Sequence, residues 1–283
     1  RVVELVPMST QGDRVQDRAL AEVGGKGLFV KELEVAMQDG RADIAVHSMK
    51  DVPSELPPGF CITAALPRAN ARDAFISRKY AHFTDLPQGA RVGTSSPRRQ
   101  AQLRSSRRDL QLELLRGNVD TRLRRLDEGQ LDAILLACAG LERLGIAHHV
   151  TEQLDLELSL PAVGQGVIGI ECRTDDADVR EALAALHHEE SFVRLSAERA
   201  FAATLGGSCH SPIAAHATFE GGALVVRGFI GAPAGDETYR DRITGPAADA
   251  ARLGRELAVK MQAAGAGALL ERLRQEAAAA GHT

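Results

Sequence analysis

The sequence predicts an α/β protein built as two lobes, followed by a smaller α+β unit. Three observations predict it. Strand-like apolar runs alternate with helix-period patterns over the first 185 residues; a Pro/Gly-rich crossing at 161–169 leads back into strand pattern; and the last third changes to one helix followed by three consecutive strand-like runs. At 283 residues, 44% apolar and 25% charged, the chain can bury two or three ordinary globular cores.

The elements follow in order. Residues 2–6 and 43–47 read as short buried strands. Between them, residues 28–38 place Phe29, Leu33, Ala36 and Met37 on one helical face, and Gly40 supplies a stop. The polar, glycine-bearing stretch 10–27 reads as a mobile loop. A second set begins near Arg72, with a strand at 91–94 and a helix at 97–106 that carries Pro97 in its first turn. A strand at 112–115, a helix at 119–128 and a buried strand at 133–137 complete it. Such alternation implies a parallel sheet with crossover helices. A chain that leaves one unit, builds another and returns at 167–171 gives two hinged lobes, with ligands expected at strand C-terminal ends and between the lobes. In the last third, 188–205 reads as a helix, 213–219, 223–230 and 237–243 as strands, and the chain from Pro246 as helical.

Composition excludes several function classes. Aromatic residues are 4% with no Trp, and the formal charge is −4, so base stacking and charge-driven nucleic-acid binding are not expected. No apolar run reaches the ~20 residues of a membrane span, and the nearest, 131–141, is interrupted by Asp132. Cys61, Cys138, Cys172 and Cys209 are scattered, with no C-x-x-C or His/Cys cluster for a metal, which fits a reduced protein. The first three stand in strand-like apolar contexts and read as structural.

Charge is unevenly placed. Residues 89–125 hold ten arginines (91, 98, 99, 104, 107, 108, 116, 122, 124 and 125) against three carboxylates, a local +7. All the cations are Arg, the residue suited to bidentate pairing with carboxylate or phosphate. Arg98, Arg99, Arg116 and Arg122 stand where strands run into helices, beside Thr94, Ser95, Ser96 and Asn118. A helix N-terminus with small hydroxyl residues and paired arginines makes an anion cradle, so a polyanionic ligand is expected. Arg104, Arg107, Arg108, Arg124 and Arg125 read as a solvated helix face.

Lys50-Asp51 follows the end of a strand. A carboxylate beside a lysine there can move a proton or stabilise a developing cation, and a salt-bridged turn is the alternative. Gly24-Gly25-Lys26-Gly27 lacks Walker spacing, Gly164-Gln165-Gly166 is weak as a dinucleotide signal, and His187-His188-Glu189-Glu190 reads as a helix entry. Cys209 lies in a glycine-bearing loop beside His210, either an incidental thiol or one made reactive by the imidazole.

Several motifs, in one order along the chain, resemble the hydroxymethylbilane synthase (porphobilinogen deaminase) family. These are residues 24–29 (GGKGLF), 45–53 (AVHSMKDVP), 92–96 (VGTSS), 115–118 (LRGN), 160–166 (LPAVGQG), and Glu198-Arg199-Ala200-Phe201 with Leu205-Gly206-Gly207-Ser208-Cys209 and Pro212-Ile213. The resemblance implies an α/β fold of three domains, the first two like the lobes of periplasmic binding proteins and the third a small α+β domain. It divides the chain into 1–66 plus 167–185, 72–160, and 189–283.

The activity it implies is head-to-tail joining of four porphobilinogen units with release of ammonia, giving hydroxymethylbilane for tetrapyrrole (haem) biosynthesis. It also implies a dipyrromethane cofactor fixed to Cys209 by a thioether. Asp51 becomes the catalytic carboxylate, stabilising the electron-poor methylene-pyrrolenine and assisting proton transfer. Lys50, Ser48, Thr94, Ser96, Arg98 and Arg99 fall to the cofactor, and Arg116, Asn118, Arg122, Arg143, Gln165 and Lys26 to the substrate. Residues 10–26 become a lid over the cleft. A cytoplasmic monomer acting on a small molecule, without metal, nucleic acid or membrane, is expected.

Three departures stand out. The sequence begins at Arg1, beyond the family's first strand and helix with their Arg-x-Ser, so an upstream segment or targeting peptide remains compatible with it. Glu22 occupies a position often held by lysine, and Ser211 replaces a β-branched residue. Two other classes compete: a non-catalytic two-lobed anion binder, which gives Cys209 no use, and a thiol hydrolase built on Cys209 and His210, whose adjacency hinders a dyad.

Overall fold

A computed structural model describes residues 3–10, 30–207 and 212–280. Among these the chain forms three sheets. The first contains β1 (Ile44–Ser48), β2 (Phe60–Ala65) and β8 (Ile168–Arg173), in the order β1-β8-β2. Ala45 and His47 of β1 turn inward while Val46 is exposed, the alternation of a strand covered on one face. Helix α1 (Lys31–Gln38) buries Ala36 and Met37, as its spacing predicts. On the other side α5 (Ala177–Leu183) sets Val179 and Leu183 against Ile44, Ala64 and Ile170.

Both pairings of β8 are antiparallel, which corrects the expectation of a parallel first sheet. Strand β8 enters from the second lobe, through the 161–167 crossing, and meets β1 head-on; no crossover helix joins them. The predicted strand at 2–6 is also corrected. Residues 3–6 have no regular structure, and Val3 and Leu5 are 74% and 87% exposed. Their alternation finds no partner among the described residues, and a strand gains its stability from a partner's hydrogen bonds and side chains.

The second sheet has the order β5-β4-β6-β3-β7, from β3 (Asp73–Ile76), β4 (Arg91–Gly93), β5 (Gln111–Glu113), β6 (Ala133–Ala137) and β7 (Glu152–Gln153). Strand β4 runs parallel to β5 and β6, with α2 (Pro97–Ser106) and α3 (Val119–Asp127) as crossovers. Strands β3 and β7 are antiparallel, so the sheet is mixed. Because β4 lies between β5 and β6, its C-terminal end is a topological switch point, where a crevice opens beside two helix N-termini. The short helix α4 (Cys138–Arg143) follows β6 directly.

The third sheet is a meander of β9 (Ile213–Glu220), β10 (Ala223–Gly231) and β11 (Thr238–Gly245). Helices α6 (Glu189–Thr204) and α7 (Ala250–Met261) cover one face, burying Phe201, Leu253, Leu257 and Met261 against Ala215, Leu224 and Val226. On the opposite face Phe229 packs with Ala101 of α2 and Leu160, seating this unit on the second lobe. Beyond α7 the chain turns at Gly265 (φ +119°) into α8 (Gly267–Ala280).

The two crossings between the first two sheets run side by side. Leu66 N–H donates to Ile168 O, and Ala69 N–H to Gly166 O. Gly166 has φ +86°, and a β-carbon there would lie 2.6 Å from Ala69 O, so only glycine lets the crossings approach this closely.

Candidate active site

Strand β1 ends in a single 3₁₀ turn, Met49–Asp51, which places Lys50 exposed and Asp51 half-buried. Met49 anchors the turn. Its N–H donates to Val167 O at 3.0 Å, and its side chain lies over Gly169 of β8, where a β-carbon would overlap Met49 Sδ. A few residues on, Ser54 O accepts a hydrogen bond from Arg199 of α6 at 2.9 Å. The turn is thus held from below by β8 and from beside by the third unit. Ser48, at the strand end, is half-buried.

Facing it are two strand-to-helix turns of the second sheet. Thr94 is buried and donates its N–H to Glu113 O; Ser96 caps α2 by accepting from Arg99 N–H at 3.4 Å. Asn118 caps α3, accepting from Thr121 N–H at 2.9 Å, and Gly117 takes φ +98° to make that turn. Ser95 joins the two turns, donating to Leu115 O at 2.6 Å and accepting from Leu115 N–H at 3.1 Å. Arg122 donates Nε–H to Gly117 O at 2.8 Å, which fixes its stem on its own turn.

The electrostatics show which of these groups share a neighbourhood. Burial pulls the Arg122 guanidinium down to about 10; Arg99 and Arg116 push the same way, and Asp51 opposes them. Arg122 of α3 therefore has Arg99 of α2, Arg116 of the turn after β5 and the carboxylate carried by β1 within its electrostatic reach. That grouping spans the first and second sheets.

Arg98 and Arg99 are each held by groups of the chain itself. Arg98 donates Nη1 and Nη2 to Asp73 at 2.8 and 3.1 Å, and Nη1 also to Leu160 O at 2.6 Å. Arg99 donates Nη2 to Asp73 at 2.7 Å and Nη1 to Leu135 O at 3.0 Å. The Nε of each is buried without a hydrogen-bond partner. Asp73 is fully buried, and although burial pushes its carboxyl up, the two guanidiniums hold it well below the usual carboxylate range. It also accepts from Ser159 Oγ at 2.7 Å and Gln165 Nε2 at 2.9 Å. Gln165 therefore serves the crossing, donating to Ala71 O as well, and Arg143 donates to Gly166 O at 3.0 Å. Lys26, Cys209 and residues 11–26 of the expected lid lie outside the described residues.

The remaining arginines of the basic stretch are turned to other uses. Arg104 donates to Pro233 O, Arg107 pairs with Asp109 and the carbonyls of Leu86 and Pro87, Arg124 lies 3.9 Å from Glu128, and Arg125 donates to Leu114 O. Arg108 is exposed. The predicted helix entry at 187–190 is present, with His188 capping α6.

Residues 1–181 match the family model described as porphobilinogen deaminase, dipyromethane cofactor binding domain, and residues 192–263 match porphobilinogen deaminase, C-terminal domain. The chain is 54% identical over 269 residues to the porphobilinogen deaminase of Trichlorobacter lovleyi, covering 95% of this chain and 86% of that protein. The chain belongs to the porphobilinogen deaminase family. Among solved structures it is similar to a nutrient binding protein of Burkholderia cenocepacia bound to methionine (14% identity, TM-score 0.37, covering 54% of this chain and 74% of that one). It is also similar to a TRAP periplasmic solute binding protein of Desulfovibrio salexigens (15%, 0.39, 57% and 59%).

The residues in the crevice suit the family's dipyrromethane, a group bearing several carboxylates. Arg99, Arg116 and Arg122 lie close enough to depress one guanidinium, and the buried Nε atoms of Arg98 and Arg99 lack acceptors. A site with that excess of donors gains most from anionic acceptors that replace lost water.

Sequence reading missed Asp73, Arg68, Ser159 and the use made of Glu198 and Arg199. Asp73 had a signal, an acid opening an otherwise apolar strand (Asp-Ala-Phe-Ile). Arg68 and Ser159 had none, since their partners lie far away along the chain.

Proposed function

We propose that this chain joins porphobilinogen units head to tail, four in succession with release of ammonia, and frees hydroxymethylbilane, using a dipyrromethane held by a thioether on Cys209. The observation that supports the site reading is that Arg99 and Arg116 of the second sheet's turns and Asp51 of the first sheet all act on the Arg122 guanidinium. When bound, the dipyrromethane supplies the pyrrole position to which the first substrate unit is joined.

The roles of the chain's own groups follow from charge and position. Arg116 and Arg122 bind substrate carboxylates, with Asn118 at the same turn as a hydrogen-bonding neighbour. Arg99, assisted by Arg98, Thr94, Ser96, Ser48 and Lys50, holds the carboxylates of the cofactor. Asp73 holds both buried guanidiniums in place. Asp51 stabilises the positive charge that develops on the substrate as ammonia leaves, and accepts a proton when the pyrrole regains aromaticity. Its half-buried place beside Arg122 strengthens its field over that in open water. Gln165 and Arg143 order the crossing that joins the lobes, and Lys26 is a further substrate-binding residue.

The division into 1–66 plus 167–185, 72–160 and 189–283 belongs to the same reading, with the enzyme a monomer in the cytoplasm. No helix among the described residues is long and apolar enough to cross a membrane. The test is intact-protein mass. Wild-type protein is expected to exceed its sequence mass by one dipyrromethane, and Cys209→Ser to lack the increment. Active wild-type protein at the plain sequence mass overturns the reading.

A further inference from the structure

Two of the three described cysteines that read as separate structural residues are neighbours in space. Cys61 of β2 and Cys172 of β8 are register partners in the antiparallel pair, and neither is in a disulfide. Thr174 N–H donates to Gly59 O, two residues before Cys61 on one strand and two after Cys172 on the other. Hydrogen-bonded pairs recur every second residue of an antiparallel ladder, so Cys61 and Cys172 form such a pair, with α-carbons about 5.5 Å apart. That separation is the one most disulfides have. The pairing sets their thiols close enough for Cys61 to raise the Cys172 thiol.

The two sulfurs differ in access. Cys172 is fully buried on the central strand, and burial, then the adjoining Cys61, pushes its thiol up to about 11. Cys61 is half-exposed on a strand at the sheet's edge. Beside the pair, an open trough of about 510 Å³ is lined by Thr63, Arg180 and His187. Thr63 and Arg180, both lining the trough, lie close enough to the Cys172 thiol to pull it down against its burial, so the trough adjoins the sulfurs.

We propose that Cys61 and Cys172 are an oxidation site, closed to a reversible cross-strand disulfide by a low-molecular-weight disulfide such as glutathione disulfide. Cys61 gives up its proton and its sulfur attacks one sulfur of the oxidant. A Cys61–glutathione bond forms, the oxidant's S–S bond breaks, and one glutathione thiolate leaves and takes up the proton. Cys172 then attacks Cys61 Sγ, its proton passing to the second departing thiolate. Two cysteine thiols are oxidised and one disulfide is reduced to two thiols. The bond closes a loop that contains both crossings and the whole second sheet, so it restricts the unfolded chain and locks β2 to the central strand.

The experiment treats the cofactor-loaded protein with glutathione disulfide and maps peptides without reduction. The expected result is one linked peptide pair, Cys61 with Cys172, 2 Da lighter than its separate parts and reopened by dithiothreitol. Thermal unfolding of the oxidised protein should rise by about 5 °C or more and return on reduction. Cys61→Ser should abolish both the link and the rise while leaving turnover of the reduced protein unchanged. Stable glutathione on Cys61 with Cys172 still free overturns the proposal, as does a link to any other cysteine or a protein whose thiol count does not fall.

Discussion

Arg68 and Glu198 form a forked ion pair with both side chains buried, Nη1 to Oε1 at 2.6 Å and Nη2 to Oε2 at 3.2 Å. Arg68 lies in the first crossing and donates Nε–H to Gln165 O in the second. Glu198, on α6, accepts from Gly164 N–H and from Ala217 N–H, each at 2.8 Å. One carboxylate therefore ties both crossings and the third sheet together. Arg68→Ala leaves it buried without its cation, and a loss of about 3–5 kcal/mol is expected in urea unfolding. A loss below about 1 kcal/mol shows that the crossings are held by other contacts.

The same carboxylate sets an acid limit. Burial raises Glu198, but the charge of Arg68 and the neighbouring His216 outweigh it and bring the group down to about 2. A depressed value stabilises the fold fully above the unfolded value of 4.5 and ceases to do so as pH falls toward about 2. The difference is worth about 3 kcal/mol at neutral pH. Asp73, held low by Arg98 and Arg99 against its own burial, acts in the same direction. Stability of the wild type should drop steeply between pH 4.5 and 2, and Glu198→Gln should flatten part of that drop while lowering stability at pH 7. An unchanged slope contradicts the assignment.

Asp51→Asn keeps the shape of the turn after β1 and removes its negative charge. Met49 and Ser54 still hold the turn, so folding and cofactor attachment should survive. Turnover should fall about a hundredfold or more, because the carboxylate faces the developing cation at close range. Intact mass and steady-state rate, read on the same preparation, check both halves. Full turnover removes Asp51 from the chemistry.

Arg122 and Arg124 lie two residues apart on α3 and should behave differently. Arg122 stands among Arg99, Arg116 and Asp51, whereas Arg124 is exposed and 3.9 Å from Glu128. Arg122→Leu should raise KM for porphobilinogen about tenfold or more; Arg124→Leu should leave it within about twofold. Equal effects indicate that the helix contributes general positive charge and no directed contact.

Much of this was legible in the sequence, for identifiable reasons. Pro97 in a first turn and the apolar run at 133–137 give the bounds of α2 and β6 as observed. Strand direction was not legible, because β8 pairs with β1 over more than a hundred residues and side-chain alternation is the same for either direction. Strand β2 escaped because most of its residues are only half-buried, with a bulge between Ile62 and Ala64. In the site, residue type and position marked Arg98 and Arg99 as anion partners. Spacing could not show that their first anion is the chain's own Asp73, 25 and 26 residues away.

The turn that carries Asp51 depends on a glycine more than a hundred residues away in sequence but adjacent in space. Gly169 leaves room for Met49, which is 1% exposed, and a β-carbon there would overlap Sδ and lie 2.9 Å from Cγ. Methionine is flexible, so Gly169→Ala should still fold, at a cost of about 1–3 kcal/mol for overpacking. The displaced residue adjoins Lys50 and is two from Asp51, and its N–H is bonded to Val167 O, just before the same strand. Turnover should therefore fall further than that stability loss accounts for, with cofactor mass retained. Met49→Ala opens a cavity by itself, but in the double variant the two changes share one space. The double variant should be more stable than the sum of the single losses by about 1 kcal/mol or more, and should regain turnover relative to Gly169→Ala. Strict additivity in unfolding, with no recovery of rate, means that Met49 does not transmit the strand's position to the carboxylate.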